Sequence, residues 1–306
     1  MKTLFIVNPA AGHGRGLRRW QAVEAQARRA CPDLQVRLTE KLGDGAAQAR
    51  QALADGFEAL IAVGGDGTLG EVVDGWLSAP SRPLAGAVGT WPVGSGCDLA
   101  RHIGMKQSAA SLLRILSGPV RRNLDAGLVT YRDPQGKAAR RYFLNVAAFG
   151  LAGDVALRVA ARGKRWGGTL TYLVESLAAL TQAEAKPMDL IIDGVAQPRT
   201  RYHMVVLANT STFGGGMRVA PKADAEDGRL DLLTVGDLSR GRLFQRFPSI
   251  YTGGHLGKPG IGWQLARKVE ADSPVTVTLN IDGEAIGTLP AVFETLAGAV
   301  PFLCPT

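Results

Sequence analysis

The stretch LIAVGGDGTLGEVVDGW, residues 60–76, constrains the fold more than any other part of the chain. An apolar run ends in Gly64-Gly65-Asp66-Gly67-Thr68 and passes at once into helix-forming residues. A strand that feeds a helix through one tight turn starts a crossover, and crossovers join parallel strands. The glycines cost backbone entropy and put no Cβ at the turn. Either the turn is merely sharp, or something approaches the backbone closely there. Asp66 could hold a metal or a water at such a ligand, and Thr68 is placed to cap the following helix.

The surrounding sequence repeats this pattern. Thr3–Val7, 34–38, 59–63 and 84–88 read as strands, and 17–30, 46–54 and 69–77 as helices between them. This predicts an α/β N-terminal domain with a doubly wound parallel sheet, in which ligands sit at the carboxyl ends of the strands. After about residue 118 the texture changes. Segments 124–131, 141–148, 188–192, 202–208, 230–235 and 275–281 are strand-like and linked by turn signals such as DPQG, DG and GGG. Helical stretches near 169–183 and 240–252 interrupt them. The expected division is 1–120 and 121–306, the second part a mainly antiparallel, β-sandwich-like domain whose last residues can pack back on the first. An active site is expected in the cleft between the two.

With 306 residues the chain is too long for one small core. Its net charge of +8 favours anionic partners, or is only a basic surface. No basic tract with interleaved aromatics suggests a nucleic-acid groove. No apolar run approaches a membrane span, and the first is too short for a signal-peptide core. Cys31, Cys97 and Cys304 are scattered in no metal-like spacing, which fits a reducing cytoplasm.

Two further loops fall at expected strand ends. In IVNPAAGHGRG, residues 6–16, Asn8-Pro9 stops the strand and Gly12, Gly14 and Gly16 precede a helix. Backbone amides there can face a phosphate, although a flexible turn explains the loop equally, and the Walker pattern is absent. In GTWPVGSGCDLARHIG, residues 89–104, Asp98 can cap a short helix or share a metal with Asp66. Arg101 can meet a phosphate or simply face solvent.

Taken together, NPAAG, GGDGTLGEVVDGW and PVGSGCDLAR, in this order, resemble the diacylglycerol kinase catalytic domain superfamily. NTSTFGGGMRVAPKADAEDGRLDLLTV, residues 209–235, looks like that family's structural-metal region, and IDGE, residues 281–284, like its late acidic motif. The resemblance implies a nucleotide-binding kinase domain and a β-rich lipid-binding domain, with ATP and Mg²⁺ as cofactors. By matching position, Asn8, Pro9, Ala10, Ala11, Gly12, Thr39, Gly65, Asp66, Gly67, Thr68, Leu69, Gly70, Glu71 and Ser95 look like nucleotide contacts. Asp66, Asp98 and Asp125 look like the acidic network around catalytic magnesium. Asp224, Asp227 and the backbone carbonyl of Arg229 resemble structural-metal ligands. Glu284 matches the proton acceptor, with Asp282 its rival. The chain departs from the family where Ser95 and Cys97 replace the common Thr and Asn. Cysteine lacks the amide's paired donor and acceptor.

The expected function is therefore ATP-dependent phosphorylation of a lipid hydroxyl, by diacylglycerol kinase-like chemistry in phospholipid metabolism. The enzyme would sit in the cytoplasm, held reversibly at the anionic inner face of the membrane, with a homodimer as the assembly considered. An NAD kinase shares GGDGT but not the other motifs. A silent lipid- or nucleotide-binding homologue is the reading Cys97 motivates. Residue by residue, Asp282-Gly283 also reads as a hairpin turn, and Asp125 as a surface partner of Arg121 or Arg122. Phe149, Leu151 and Tyr172 read first as ordinary core, as do Trp91, Trp166 and Trp263 as core or cleft packing.

Overall fold

The structure is a computed structural model that describes residues 1–94, 96–162 and 168–305. Ser95 and Trp166 lie outside the described residues. The chain divides into two compact units, Met1–Leu124 with Gly298–Thr306, and Asp125–Ala297.

The first unit alternates strand and helix. In chain order it holds β1 (Thr3–Val7), the one-turn α1 (Ala11–Gly14), α2 (Gly16–Ala30), β2 (Gln35–Leu38), α3 (Asp44–Ala54), β3 (Ala59–Gly64) and α4 (Asp66–Ser78). β4 (Ala87–Pro92), α5 (Asp98–His102), α6 (Ala109–Ser117) and the start of β5 (Val120–Arg132) follow. The sheet runs β2-β1-β3-β4 with parallel pairing throughout. β1, β3 and β4 are buried along their whole lengths, as the near-continuous apolar runs of an internal parallel sheet require. Gly75 lets α4 lie close on α3: a Cβ there would stand 2.4 Å from the Ala46 carbonyl. The fourth strand lies later than the expected 84–88. Gly86 closes a turn onto the Pro83 carbonyl, and Leu84 is fully exposed.

The second unit is β-rich and antiparallel. It continues β5 and adds β6 (Ala138–Phe143), β7 (Val146–Gly150), α7 (Leu151–Arg162), α8 (Gly168–Thr181), β8 (Lys186–Ile192) and β9 (Val195–Ala196). Then come β10 (Thr200–Ala208), β11 (Leu230–Gly236), α9 (Arg240–Arg246) with a 3₁₀ turn (Phe247–Ile250), β12 (Ile261–Ala266), β13 (Lys268–Asp272), β14 (Thr278–Ile281) and β15 (Glu284–Cys304). Strand pairing closes on itself: β7 pairs β10, β10 pairs β8, β8 pairs β13, β13 pairs β15, β15 pairs β14, and β14 pairs β7. Both β10 and β15 therefore belong to two layers. The ring encloses a core that includes Phe149, Phe293, Leu207 and Val269. Phe149 stacks on Phe293 at 5.6 Å between centroids, so it is core, as expected.

Candidate active site

In the first unit the sheet order reverses between β1 and β3, since β2 lies on the far side of β1. The loops leaving these two strands therefore emerge side by side, at the place where α/β sheets bind ligands. The Asn8 amide group ties them together. Its Nδ2 donates to Thr68 Oγ1 at 3.0 Å, and its Oδ1 accepts from Ala10 N at 2.9 Å. Gly12 has φ +60°, and a Cβ on it would stand 2.4 Å from the Val93 carbonyl. Thr39 closes the β2 end, its N–H bonded to Val7 O at 2.9 Å.

α4 begins at Asp66 with Gly65 as N-cap and no side-chain cap, so Thr68 lies inside the first turn and is not the expected cap. Asn8 engages its hydroxyl instead. The first-turn amides are left without a capping side chain, Gly67 faces open space, and Gly65 has only the Cα of Gly94 near its missing Cβ. Such a helix start suits a phosphate, by partial charge and by orphan N–H groups. Leu69 is core, so it can offer a ligand only its backbone. Glu71 is occupied in the fold: its two oxygens accept from Gly43 N at 2.9 Å and Gly45 N at 2.8 Å.

Asp66 lies beside the start of α5. Asp66 Oδ2 accepts from Asp98 N at 3.0 Å, and Asp98 is the first residue of α5 and not its cap. Arg101 pairs with Asp98 Oδ1 at 2.5 Å and reaches the Gly96 carbonyl at 3.0 Å, so its charge is turned onto this loop. The N-cap of α5 is Cys97, in left-handed conformation at φ 54°. Asparagine tolerates that region better than cysteine, a backbone reason for the asparagine that the resemblance implies at this position. Burial, then the charge of Asp66, push the Cys97 thiol up to about 12. Cys97 thus stays a thiol at pH 8. Since Cys304 is also buried, one cysteine, Cys31, should react with a thiol reagent in the native chain, and all three after unfolding. A second native cysteine reacting as fast as Cys31 would contradict this.

In the second unit Asp125 is buried. Its carboxylate accepts from Gly228 N at 2.6 Å and its N–H bonds to Ala225 O, which fastens it to the 224–229 loop. There Asp224 accepts from Glu226 N and Asp227 from Arg229 N. Nearby Asp231 was not singled out from sequence. Its carboxyl is pushed up to about 6, mainly by burial, with the charges of Asp227 and Asp224 adding to the rise and Trp263 and Lys222 opposing it. Trp263 is not core. It is partly exposed, donates to Asp231 and lies under the Lys222 ammonium, whereas Trp91 is buried.

Both acidic groups fit a magnesium ion by donor type, since carboxylate oxygens are its usual protein ligands. Among the described residues, no three His, Cys, Asp or Glu side chains gather as a metal cage. A magnesium ion at Asp66 and Asp98 would accordingly keep waters and substrate phosphate oxygens in its shell, the common arrangement for this ion.

The last acidic motif separates two roles. Asp282-Gly283 is the two-residue turn of the β14–β15 hairpin, with φ 48° and 92°, as a primed turn demands. The Asp282 side chain accepts from Leu144 N, Asn145 N and Val146 N at 2.9–3.1 Å. Burial raises its pKa against those bonds. With its oxygens committed to the backbone, Asp282 is an anchor for the turn. Glu284 is partly exposed and pairs with Arg141 Nη2 at 2.7 Å. Tyr172 Oη donates to Gly283 O at 2.5 Å, and Gly283 N donates to Asn280 Oδ1 at 2.9 Å. Burial, then the Glu284 charge, push the Tyr172 phenol up to about 12. Arg141 and Asn280 were missed in the sequence. Asn280 borders the acidic motif and could have been noticed there, but no local signal marks Arg141.

Tyr172 also faces an apolar cavity of about 100 Å³ inside the second unit. Leu151 and Val155 of α7, Tyr172 and Leu180 of α8, and Leu243 and Phe247 are among its walls. Leu151 and Tyr172 are therefore cavity residues and not simple core.

Comparison with known proteins agrees with these features. Residues 2–129 match the diacylglycerol kinase catalytic domain, and residues 145–304 match the YegS C-terminal NAD kinase beta sandwich-like domain. The diacylglycerol kinases of Staphylococcus aureus strains bovine RF122 / ET3-1 and MRSA252 are each 28% identical over 302 residues, 98% of this chain and 91% of theirs. Two solved Bacillus anthracis str. Sterne structures described as diacylglycerol kinases align with TM-scores of 0.78 and 0.73. Their identities are 23% and 20%, the alignments cover 99% of this chain and 97% and 96% of theirs, and the likeness is one of fold. The chain belongs to the diacylglycerol kinase catalytic domain superfamily and is a lipid kinase.

Proposed function

We propose that the protein transfers the γ-phosphoryl group of ATP to a hydroxyl of a membrane lipid such as diacylglycerol. The observation that carries this reading is the apolar cavity whose wall includes Tyr172, a residue hydrogen-bonded beside Glu284. A hydrocarbon tail in that cavity brings its polar end toward a carboxylate able to accept a proton. The Asn8–Gly12 loop, the Gly65–Thr68 turn and the start of α4 receive the triphosphate, with Thr39 and Ser95 as further contacts. Asp66 and Asp98 hold magnesium, with Asp125 included on the strength of the resemblance. When bound, that ion supplies charge neutralisation to the phosphates. Asp224, Asp227 and the Arg229 carbonyl hold a structural ion, which relieves the crowding of charge at Asp231.

Phosphoryl transfer asks the protein for positioning and electrostatics more than for covalent chemistry. Glu284 orients the acceptor hydroxyl and takes its proton as the oxygen attacks. Among the described residues no helix is long and apolar enough to cross a membrane. The charge of +8 and the exposed Leu157, Leu170, Leu177 and Phe244 support reversible attachment to an anionic surface from the cytoplasmic side.

The test is incubation with labelled ATP and Mg²⁺, with either NAD or a panel of lipids in mixed micelles. Label in a lipid is expected; label in NAD overturns the reading, and no label despite ATP binding favours a silent homologue. A cavity variant reports on the tail. Val155→Trp should cost about 1–3 kcal/mol of stability by overpacking and lower kcat/KM for long-chain diacylglycerol by roughly tenfold, a loss of about 1.4 kcal/mol in transition-state binding. Short-chain diacylglycerol should suffer less, and ATP affinity should be unchanged. Equal losses for both chain lengths would place the tail elsewhere.

A further inference from the structure

The Arg141–Glu284 ion pair poses a chemical problem. A carboxylate that must accept a hydroxyl proton rests against a guanidinium at 2.7 Å. The pair is half open to solvent, with 30% and 37% of the two side chains exposed, so it is not a core bridge fixed by packing. The turn that carries Glu284 is already held from other directions: Asp282 by three amides, Gly283 N by Asn280, and Gly283 O by Tyr172. Arg141 is therefore not needed to build the turn. It sits on β6, a different element, and brings a positive charge to both acidic residues of the motif.

We infer that Arg141 is a catalytic residue that leaves Glu284 to hold the phosphoryl group in flight. The inference rests on the lipid kinase reading and follows from distance. The acceptor hydroxyl must come within hydrogen-bond reach of Glu284, and the γ-phosphorus must come into contact with that hydroxyl. A group already touching Glu284 is then within side-chain reach of the γ-phosphoryl oxygens. Arginine's planar fork suits phosphoryl oxygens as well as carboxylates. In the step, the lipid oxygen forms a bond to the γ-phosphorus, and the bond from that phosphorus to the β–γ bridging oxygen breaks. ADP leaves with the electron pair, and the hydroxyl proton passes to Glu284. As Arg141 turns to the phosphoryl oxygens, it frees a carboxylate oxygen for that proton. The swap depends on the arriving nucleoside triphosphate, so the base is uncovered only once the phosphoryl donor is bound.

The experiment uses the full chain with labelled ATP and diacylglycerol in mixed micelles. It compares Arg141→Ala, Arg141→Lys, Glu284→Gln and the double variant Arg141→Ala/Glu284→Gln. Arg141→Ala should lower kcat by about a hundredfold, as loss of one transition-state donor does, with the lipid KM within about threefold. Arg141→Lys keeps the charge but loses the fork and should cost about tenfold; it carries the test if the alanine variant proves unstable. In the Glu284→Gln background, Arg141→Ala should cost at least about a further tenfold, because it then removes a contact to phosphoryl and not an influence on the base. Added guanidinium ion should restore part of the Arg141→Ala turnover. If Arg141→Ala costs nothing beyond Glu284→Gln, Arg141 only positions the carboxylate and the inference fails. If the unaltered chain labels no lipid, the lipid kinase reading fails and takes the inference with it.

Discussion

Asp66→Ala should reduce phosphoryl transfer by at least about a thousandfold, since charge neutralisation at the transferring group is the main catalytic resource of such enzymes. The residue stands at the first turn of α4, where no side chain caps the helix, and its Oδ2 accepts from Asp98 N. Removing it deletes one of two neighbouring carboxylates and leaves the Asp98 amide to find water. The fold penalty is lost hydrogen bonding at a partly exposed site, about 1–2 kcal/mol. Activity and stability should thus separate. Turnover of labelled ATP into lipid should vanish, while circular dichroism is unchanged and the melting temperature falls by only a few degrees. Retained turnover would remove Asp66 from the mechanism.

The second large effect tests the division between Asp282 and Glu284, and its two arms differ in kind. Glu284→Gln should lower kcat by about a hundredfold or more, the contribution expected of a general base. It should leave stability within about 0.5 kcal/mol, because the ion pair it breaks is partly exposed. Asp282→Ala should do the reverse first. Three amide donors, Leu144, Asn145 and Val146, lose their acceptor in a buried place. At about 1–3 kcal/mol for each unsatisfied group, the loss is several kcal/mol. Activity should then fall in proportion to the unfolded fraction and recover on cooling. Urea denaturation of both variants beside steady-state kinetics reads the difference. An Asp282→Ala protein that is stable and inactive would return Asp282 to the chemistry.

The sequence made β1, β3 and the turn between β3 and α4 legible, because apolar runs that end in glycine have few alternatives. The loops that carry Asp66 and Asp98 follow neighbouring parallel strands, and there the Asp66 carboxylate meets the Asp98 backbone amide. The sequence was less informative wherever glycine or proline serves packing and not turning. Gly153 looks like a breaker, yet it lies inside α7, where a Cβ would stand 2.2 Å from the Thr278 carbonyl. Gly287, Pro290 and Gly298 similarly hide β15, which has no clean alternation of buried and exposed residues. At the site, the glycine loops and aspartates carried a local pattern. The pairings of Arg141 with Glu284 and Tyr172 with Gly283 join residues far apart in sequence, and only the closed ring of strands brings them together.

The pairing of Phe302 and Leu303 with Val88 and Gly89 has a consequence for the order in which the protein is made. The first unit takes in residues 298–306, and Phe302 and Leu303 are buried there. While the ribosome is still extending the chain, β1 to β4 can emerge but their sheet lacks the strand that pairs β4. About two hundred residues separate the partners, and closing so long a loop is slow although its entropic cost grows only logarithmically. The second unit, whose residues lie between, can fold before the first is complete. The sheet of the first unit thus gains its strand beside β4 only after residues 125–297 have been synthesised.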